Sequence, residues 1–435
     1  MIGRDTEFDA GGVKLGPPAE GATGVLVRRL GAFERMEHRY QQKHTMHFCM
    51  VAELADDLDP TALEAGLLAV QHRHPLLNVH VKDHPQTRLG FYRPASVPPV
   101  PVTVVDATRS WCDLVAEELT RPFDRSRAPM IRVVLLRAGP TSPAAIVLTV
   151  DHVIVDGLSA GFILRDLFSA LNGHDLDALP VPPSQEELIA ALRDGQPAAA
   201  LAANSQPPPA QPVWLATPST FRPFDAALPH LSAICFDEDL TRRLIARARA
   251  EHTTVHSAVV AAMSRVIIES GRNEFVRMLT PFDFRSHIGV DDAVCLYFTG
   301  ARTGFTGEQL TGLWDMARTV SGQLAVARSL PAVLAVSAVT EQLIPVDATT
   351  QEAQDFMVGG LSFEAFASNL RVVDMGPPEA VRPVAIWGPA ILLQFQGELN
   401  TGICTFNGQL RIVSASHEPL PDYLDRVRDV LDAAC

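Results

Sequence analysis

The spacing of apolar side chains alternates between helical and extended periods along the first half of the chain. Asp59-Pro60-Thr61 opens a run carrying Leu63, Leu67, Leu68 and Val70 at helical spacing, and Pro75 stops it. A capping Asp followed by Pro is a helix-start signal. Residues 76–81 (LLNVHV) are predicted to form a strand and residues 110–121 an amphipathic helix. Residues 130–137 and 144–151 are dense in Val, Ile and Leu, the pattern of strands covered on both faces. A helix carrying Phe162, Ile163, Leu164, Leu167, Phe168 and Leu171 is predicted after Gly157, ending at Asn172-Gly173.

The apolar pattern lapses over residues 194–230, where AAALAANSQPPPAQP is rich in Ala and Pro, and an exposed linker is predicted there. Beyond it, residues 231–236 alternate, and helices are predicted at about 238–251 and 255–270. Strands are predicted at about 275–281, 369–374, 390–396, 399–406 and 409–415, and a closing helix at 420–433. Asn407-Gly408 marks a hairpin, because both residues tolerate positive φ. The expected division is a flexible tail over 1–24, an N-terminal half over 25–193, a linker over 194–230 and a C-terminal half over 231–435. The fold class is α/β (or α+β), with two halves of similar size.

The chain has 435 residues, 47% of them hydrophobic and 20% charged, which suits a globular protein with a large core. Its formal net charge of −14 argues against a nucleic-acid partner, since phosphate binding needs a basic surface. The six cysteines (Cys49, Cys112, Cys235, Cys295, Cys404, Cys435) are scattered, without a CxxC pair, so neither a zinc site nor a disulfide framework is expected. The first residues lack the basic and apolar regions of a secretory signal, and the longest apolar stretches are too short to cross a bilayer. A cytoplasmic location without membrane attachment is expected. The cluster His72, His74, His80 and His84 could suggest metal binding, but His72 and His74, two apart on a helix, do not face one way, and surface or capping positions are expected. No GxxxxGK[ST], GxGxxG or GxSxG pattern stands in a suitable context, so no bound nucleotide cofactor is expected.

The sharpest feature is LTVDHVIVDG over residues 148–157: an apolar strand, His152 at its end, Asp156 four residues later, Gly157, then a helix. A His at a strand terminus can project into a cleft while the strand fixes its position, and Gly157 is expected to permit the tight turn. By itself the spacing leaves three readings open: a hydrogen-bonded structural His, a metal pair, or a general base. On a strand, Asp151 and His152 are expected to face opposite sides.

His152-xxx-Asp156-Gly157 resembles the HHxxxDG motif of nonribosomal peptide condensation domains. It also resembles the HxxxD motif of the wider chloramphenicol acetyltransferase-like superfamily, which includes plant alcohol acyltransferases and actinobacterial polyketide-associated acyltransferases. Residues 63–81, 122–137 (PFDRSRAPMIRVVLLR), 281–285 (PFDFR), 367–373 (ASNLRVV) and the closing TFNGQLRIVSASHE resemble further segments of that superfamily in the same order. The resemblance implies two chloramphenicol-acetyltransferase-like halves in a V-shaped pseudo-dimer with a central tunnel, part of the second half crossing over to extend the first half's sheet. It implies an acyltransferase with His152 as general base. The donor would be a thioester on the phosphopantetheine of an acyl carrier protein or of coenzyme A, and the acceptor a small hydroxyl or amine compound.

The resemblance also implies that Asp156 pairs with Arg285 and holds the site together rather than completing a triad. Asp283, two residues before Arg285, is expected to be solvated, the alternative being that it joins that network. Asp151 stands where condensation domains carry their first His. Cys295-Leu296-Tyr297-Phe298 and Arg371 depart from the usual pattern, where the family shapes its acceptor side. A monomer is expected, with no bound cofactor and no metal. The alternatives are a non-catalytic recruitment module, or a cyclization or release catalyst using the same tunnel.

Overall fold

The computed structural model describes residues 24–106, 108–139, 143–195 and 213–435. Residues 1–23 of the predicted tail and 196–212 of the predicted linker lie outside the described residues. The first half contributes strands β1 (Val25–Arg29), β2 (Phe48–Leu54), β3 (His80–His84), β4 (Arg88–Arg93), β5 (Val102–Val105), β6 (Ile131–Leu136) and β7 (Ala145–Val150). The second contributes β8 (His230–Cys235), β9 (Phe275–Asp283), β10 (Phe298–Thr306), β11 (Ala365–Val372), β12 (Pro383–Ile391), β13 (Leu399–Phe406) and β14 (Gln409–Ser416). They form three sheets: β1-β4-β3, a five-stranded β12-β2-β7-β6-β5, and a six-stranded β10-β9-β11-β13-β14-β8.

β6 and β7 lie inside the five-stranded sheet, and all six residues of β7 are buried, which is why both read as unbroken apolar runs. Each fully buried Ile, Leu or Val there contributes roughly 1.5–3 kcal/mol of transfer free energy. The sheet is completed by β12, which comes from the second half and pairs antiparallel with β2 from Pro383↔Leu54 to Ile391↔Phe48. Glu53 fastens the crossing by accepting hydrogen bonds from the indole N–H groups of Trp387 (2.8 Å) and Trp111 (3.0 Å). Where β12 passes β13, a Cβ on Gly402 would stand 2.1 Å from the Pro389 carbonyl oxygen, so only glycine allows that approach.

Several elements differ from the sequence reading. Residues 76–81 split into a short 3-10 turn, Pro75–Asn78, and the start of β3. The strand predicted at 390–396 is β12, centred six residues earlier, and the one at 369–374 is β11, Ala365–Val372. Asn407 and Gly408 adopt φ of 49° and 73° in the hairpin joining β13 to β14. Among the described residues no single helix is long and apolar enough to cross a membrane.

Candidate active site

The chain leaves the sheet after Val150, makes a turn over 152–154, and enters helix Gly157–Leu171. Asp151 is fully buried at the start of that turn. Its Oδ1 accepts from the Val153 amide (2.9 Å) and from Gln41 Nε2 (3.1 Å), and Arg125 Nη1 lies 3.7 Å from Oδ2. Strand alternation therefore does not direct these two residues. The strand has already ended, and the Asp151 carboxylate ties the turn down from below while His152 faces the other way.

The His152 ring sits between two aromatic rings, Phe48 of β2 and Phe298 of β10, each with its centroid 5.1 Å away. One belongs to each half of the molecule. Nδ1 is buried and meets no other residue; the polar group bearing on it is the residue's own carbonyl, outside ordinary hydrogen-bond geometry. Nε2 has no protein partner among the described residues. Burial pushes the imidazole below its usual value of 6.5, outweighing its own carbonyl and the Asp156 and Asp151 charges, which favour the cation. At neutral pH the ring is an uncharged base.

Asp156 caps the following helix, accepting from the Ser159 amide (2.8 Å), and accepts from the Tyr297 amide of the second half (2.9 Å). Arg285 Nη1 lies 2.9 Å from Asp156 Oδ2 and Nη2 3.1 Å from Oδ1. Burial alone would raise the Asp156 carboxyl; the guanidinium and these hydrogen bonds outweigh it and hold it below the carboxylate range. Arg285 Nη2 also donates to Ser159 Oγ (2.8 Å). Asp283, expected to be solvated, joins the network instead: its Oδ1 accepts from Arg285 Nη1 (3.0 Å) and from the Arg285 amide (3.1 Å). No hydrogen bond links Asp156 to His152, so the carboxylate does not orient the imidazole directly. Its task is to join the halves.

Gly157 corrects another expectation. Its backbone lies outside the positive-φ region, so no special turn requires glycine. The requirement is space: a Cβ there would stand 2.8 Å from Leu370 Cδ2 of β11.

A cavity of about 710 Å³ lies between the halves and is walled by residues of both. His152, Gly157 and Arg371 line it, and so do residues that the sequence reading did not single out, among them Glu37, Phe48, His256 and Arg328. Arg328 and Arg371 are close enough for the Arg371 charge to weaken the Arg328 cation, after burial as the main cause. Neither has an acidic partner among the described residues. Glu37 had a legible signal: with Phe33, Met36 and Tyr40 it completes an i, i+3, i+4, i+7 stripe, a carboxyl set in an otherwise buried apolar face. The four histidines around residue 74 form no common site. His74, expected at the surface or in a cap, caps helix Pro60–Arg73 and is buried against Asp166, with Nε2 2.9 Å from Oδ2.

Residues 33–204 match the family model described as Condensation domain. A linear gramicidin synthase polypeptide of Brevibacillus parabrevis is 24% identical over 282 residues, 59% of this chain; the chain spans 5% of that relative's length. Polyketide synthase associated protein 5 from Mycobacterium tuberculosis superposes with a TM-score of 0.63 at 17% identity, over 94% of this chain and 98% of that one. Trichothecene 15-O-acetyltransferase TRI3 from Fusarium sporotrichioides gives 0.65 at 12% identity, over 94% and 95%. Residues 33–204 are thus similar in sequence to the condensation-domain family, and over nearly its whole length the chain has the fold of solved condensation domains and of that acetyltransferase.

Proposed function

We propose that this protein transfers an acyl group from a phosphopantetheine thioester to a hydroxyl or amine of a small acceptor, with His152 as general base. The observation that carries the reading is the state of His152: an uncharged imidazole, gripped by Phe48 and Phe298, on the wall of a cavity shared by both halves, with Nε2 unclaimed by the protein.

An acceptor O–H or N–H within hydrogen-bond reach of Nε2 loses its proton to the ring as its lone pair attacks the thioester carbonyl carbon. The tetrahedral intermediate then collapses, the C–S bond breaks, and the imidazolium returns the proton to the departing thiolate. The donor is already activated, so no acyl-enzyme is required. General-base help of this kind is worth roughly 10²–10⁴-fold, and fixing both reactants in one apolar cavity adds to it. Aromatic faces hold the ring in place without engaging the nitrogen that does the work. Arg328 and Arg371, cationic and unpaired on the cavity wall, suit the phosphate of a pantetheine arm, whether carried by an acyl carrier protein or by coenzyme A.

His152→Ala, assayed with acyl N-acetylcysteamine thioesters and a panel of alcohols and amines, is expected to lose about 10²–10⁴-fold in kcat. Turnover at the wild-type rate would remove the proposed base.

A further inference from the structure

Glu37 is buried at 2% exposure on the cavity wall, and its Oε2 has no hydrogen-bond partner. A buried carboxyl oxygen left without a partner is rare in folded proteins and calls for a reason. No contact explains it from within: no hydrogen bond or ion pair to the side chain is present among the described residues.

The charges around it define what is missing. Asp151 and Arg125 are the charged groups that act on Glu37, and Arg125 is the one cation between two carboxyls. Arg125 stands 3.7 Å from Asp151 and donates to the Gln41 carbonyl (2.8 Å) and to His38 Nδ1 (3.3 Å). His38 is held neutral by burial, with the Arg125 and Arg39 charges acting the same way. Arg39 itself is paired with Asp83 at 2.8 Å. One guanidinium thus faces two acids, and Asp151 has the closer claim. Burial first, and the Asp151 charge next, push the Glu37 carboxyl well above its usual value. Within the cavity wall, an arriving cation is what would favour the charged form of this carboxyl.

The position is also right for the chemistry. Glu37 lies one helical turn beyond Phe33, whose ring touches Phe298 edge-on at 5.0 Å, and Phe298 in turn covers the His152 ring. The unpaired arginines lie elsewhere. Arg328 stands two residues before helix Leu330–Leu343, next to its N-cap Ser329, whereas Arg35, two residues from Glu37, donates to the Ile344 carbonyl at that helix's far end (2.9 Å). Fourteen residues of helix separate the two ends by about 21 Å. Among the unpaired charged groups of the wall, the arginines therefore lie toward one end of that helix and Glu37 toward the other, while the paired Asp156, Asp283 and Arg285 also line the cavity.

We propose that Glu37 is a specificity-determining residue that seats an ammonium group of the acceptor, so that the preferred acceptor is an amine-bearing compound such as an amino alcohol or a diamine. The inference rests on the acyl-transfer reading for its use, but its first test does not. Binding is measured calorimetrically in the absence of any donor, with hexylammonium and 1-hexanol as probes. Wild type is expected to bind hexylammonium about tenfold or more tighter than hexanol. Glu37→Gln, which keeps the shape, is expected to bring the two probes level. Glu37→Leu is expected to fold at least as stably as wild type, because an unsatisfied polar group is gone, and to bind hexanol but not hexylammonium. In transfer assays Glu37→Gln is expected to raise KM for 6-amino-1-hexanol about tenfold while leaving kcat, and the KM for 1-hexanol, within about threefold. Equal binding of the two probes by wild type, or an ammonium preference that survives in both variants, overturns the proposal. An ammonium preference lost in the variants, together with His152→Ala that still transfers acyl groups, would uphold Glu37 and remove His152 as the base.

Discussion

Two sets of polar groups on the same cavity wall are built on opposite principles. Around Asp156 the carboxylate is engaged: it takes the Ser159 and Tyr297 amides and a two-point contact from Arg285, whose terminal nitrogens also hold Asp283 and Ser159 while its Nε lacks a partner. Elsewhere on the wall polar groups are left open: Oε2 of Glu37, both ring nitrogens of His256 and Nδ1 of His152 lack partners in other residues. A satisfied network fixes a structure; unsatisfied groups on a cavity wall are kept for something that arrives. Removing a member of the first should damage stability, and removing a member of the second should damage activity.

The largest expected separation is in His152→Ala. Its loss of about 10²–10⁴-fold in rate should come with a change in unfolding free energy of only about 1 kcal/mol, read by urea denaturation, since the ring leaves no hydrogen bond behind. A large stability loss would place His152 in the structural class and erase the contrast. Arg285→Ala is the mirror case. It strands Asp156 and Asp283 and should cost about 3–5 kcal/mol, with urea midpoints as the readout; a variant as stable as wild type would show that the halves are held by packing alone.

The pH profile gives a smaller but sharper contrast. If His152 acts as the proposed general base, its reactive form is the neutral one; its folded pKa lies below 6.5, so kcat/KM should hold as pH falls from 7 through 6.5 and decline only below that. An acid limb at or above 6.5 would contradict the burial of the ring. For Asp156 the folded pKa is depressed, so its stabilisation is present above the unfolded carboxylate value of about 3.9 and is lost as pH falls through the folded value. Acid unfolding monitored below about pH 4 should therefore be shallower in Arg285→Ala than in wild type.

The smallest effect belongs to Gly157→Ala. The added methyl meets Leu370 Cδ2, the flexible end of a side chain, so a loss near the low end of the overpacking range, about 1 kcal/mol, is expected by thermal or urea denaturation. A loss above about 3 kcal/mol would mean that Leu370 has no room to yield.

Much of the local structure was legible because its causes are local. Asp59 before Pro60, Asn407-Gly408, and the unbroken apolar runs of β6 and β7 state their own conformations through capping, positive φ and two-sided burial. The motif His152-xxx-Asp156-Gly157 is also a local arrangement, since a strand end, a turn and a helix start follow one another within ten residues. Its partner Arg285 came from resemblance rather than from pattern, because nothing in an isolated chain says which of its many arginines meets Asp156.

What only the tertiary structure decided involves residues far apart in sequence. Phe48 and Phe298 close on His152 from different halves, β12 leaves its own half to pair with β2, and Arg285 of the second half reaches Asp156 of the first. Gly157 proved to matter for the side chain opposite it and not for its own backbone. The stripe of Phe33, Met36 and Tyr40 makes Glu37 legible as a carboxyl on an apolar face, but that it is buried with Oε2 unpaired is decided by what packs against it. Capping, turn chemistry and apolar period act over a few residues and can be read from the chain. Partnership between buried charges depends on which surfaces meet, and that is settled only when the whole chain has packed.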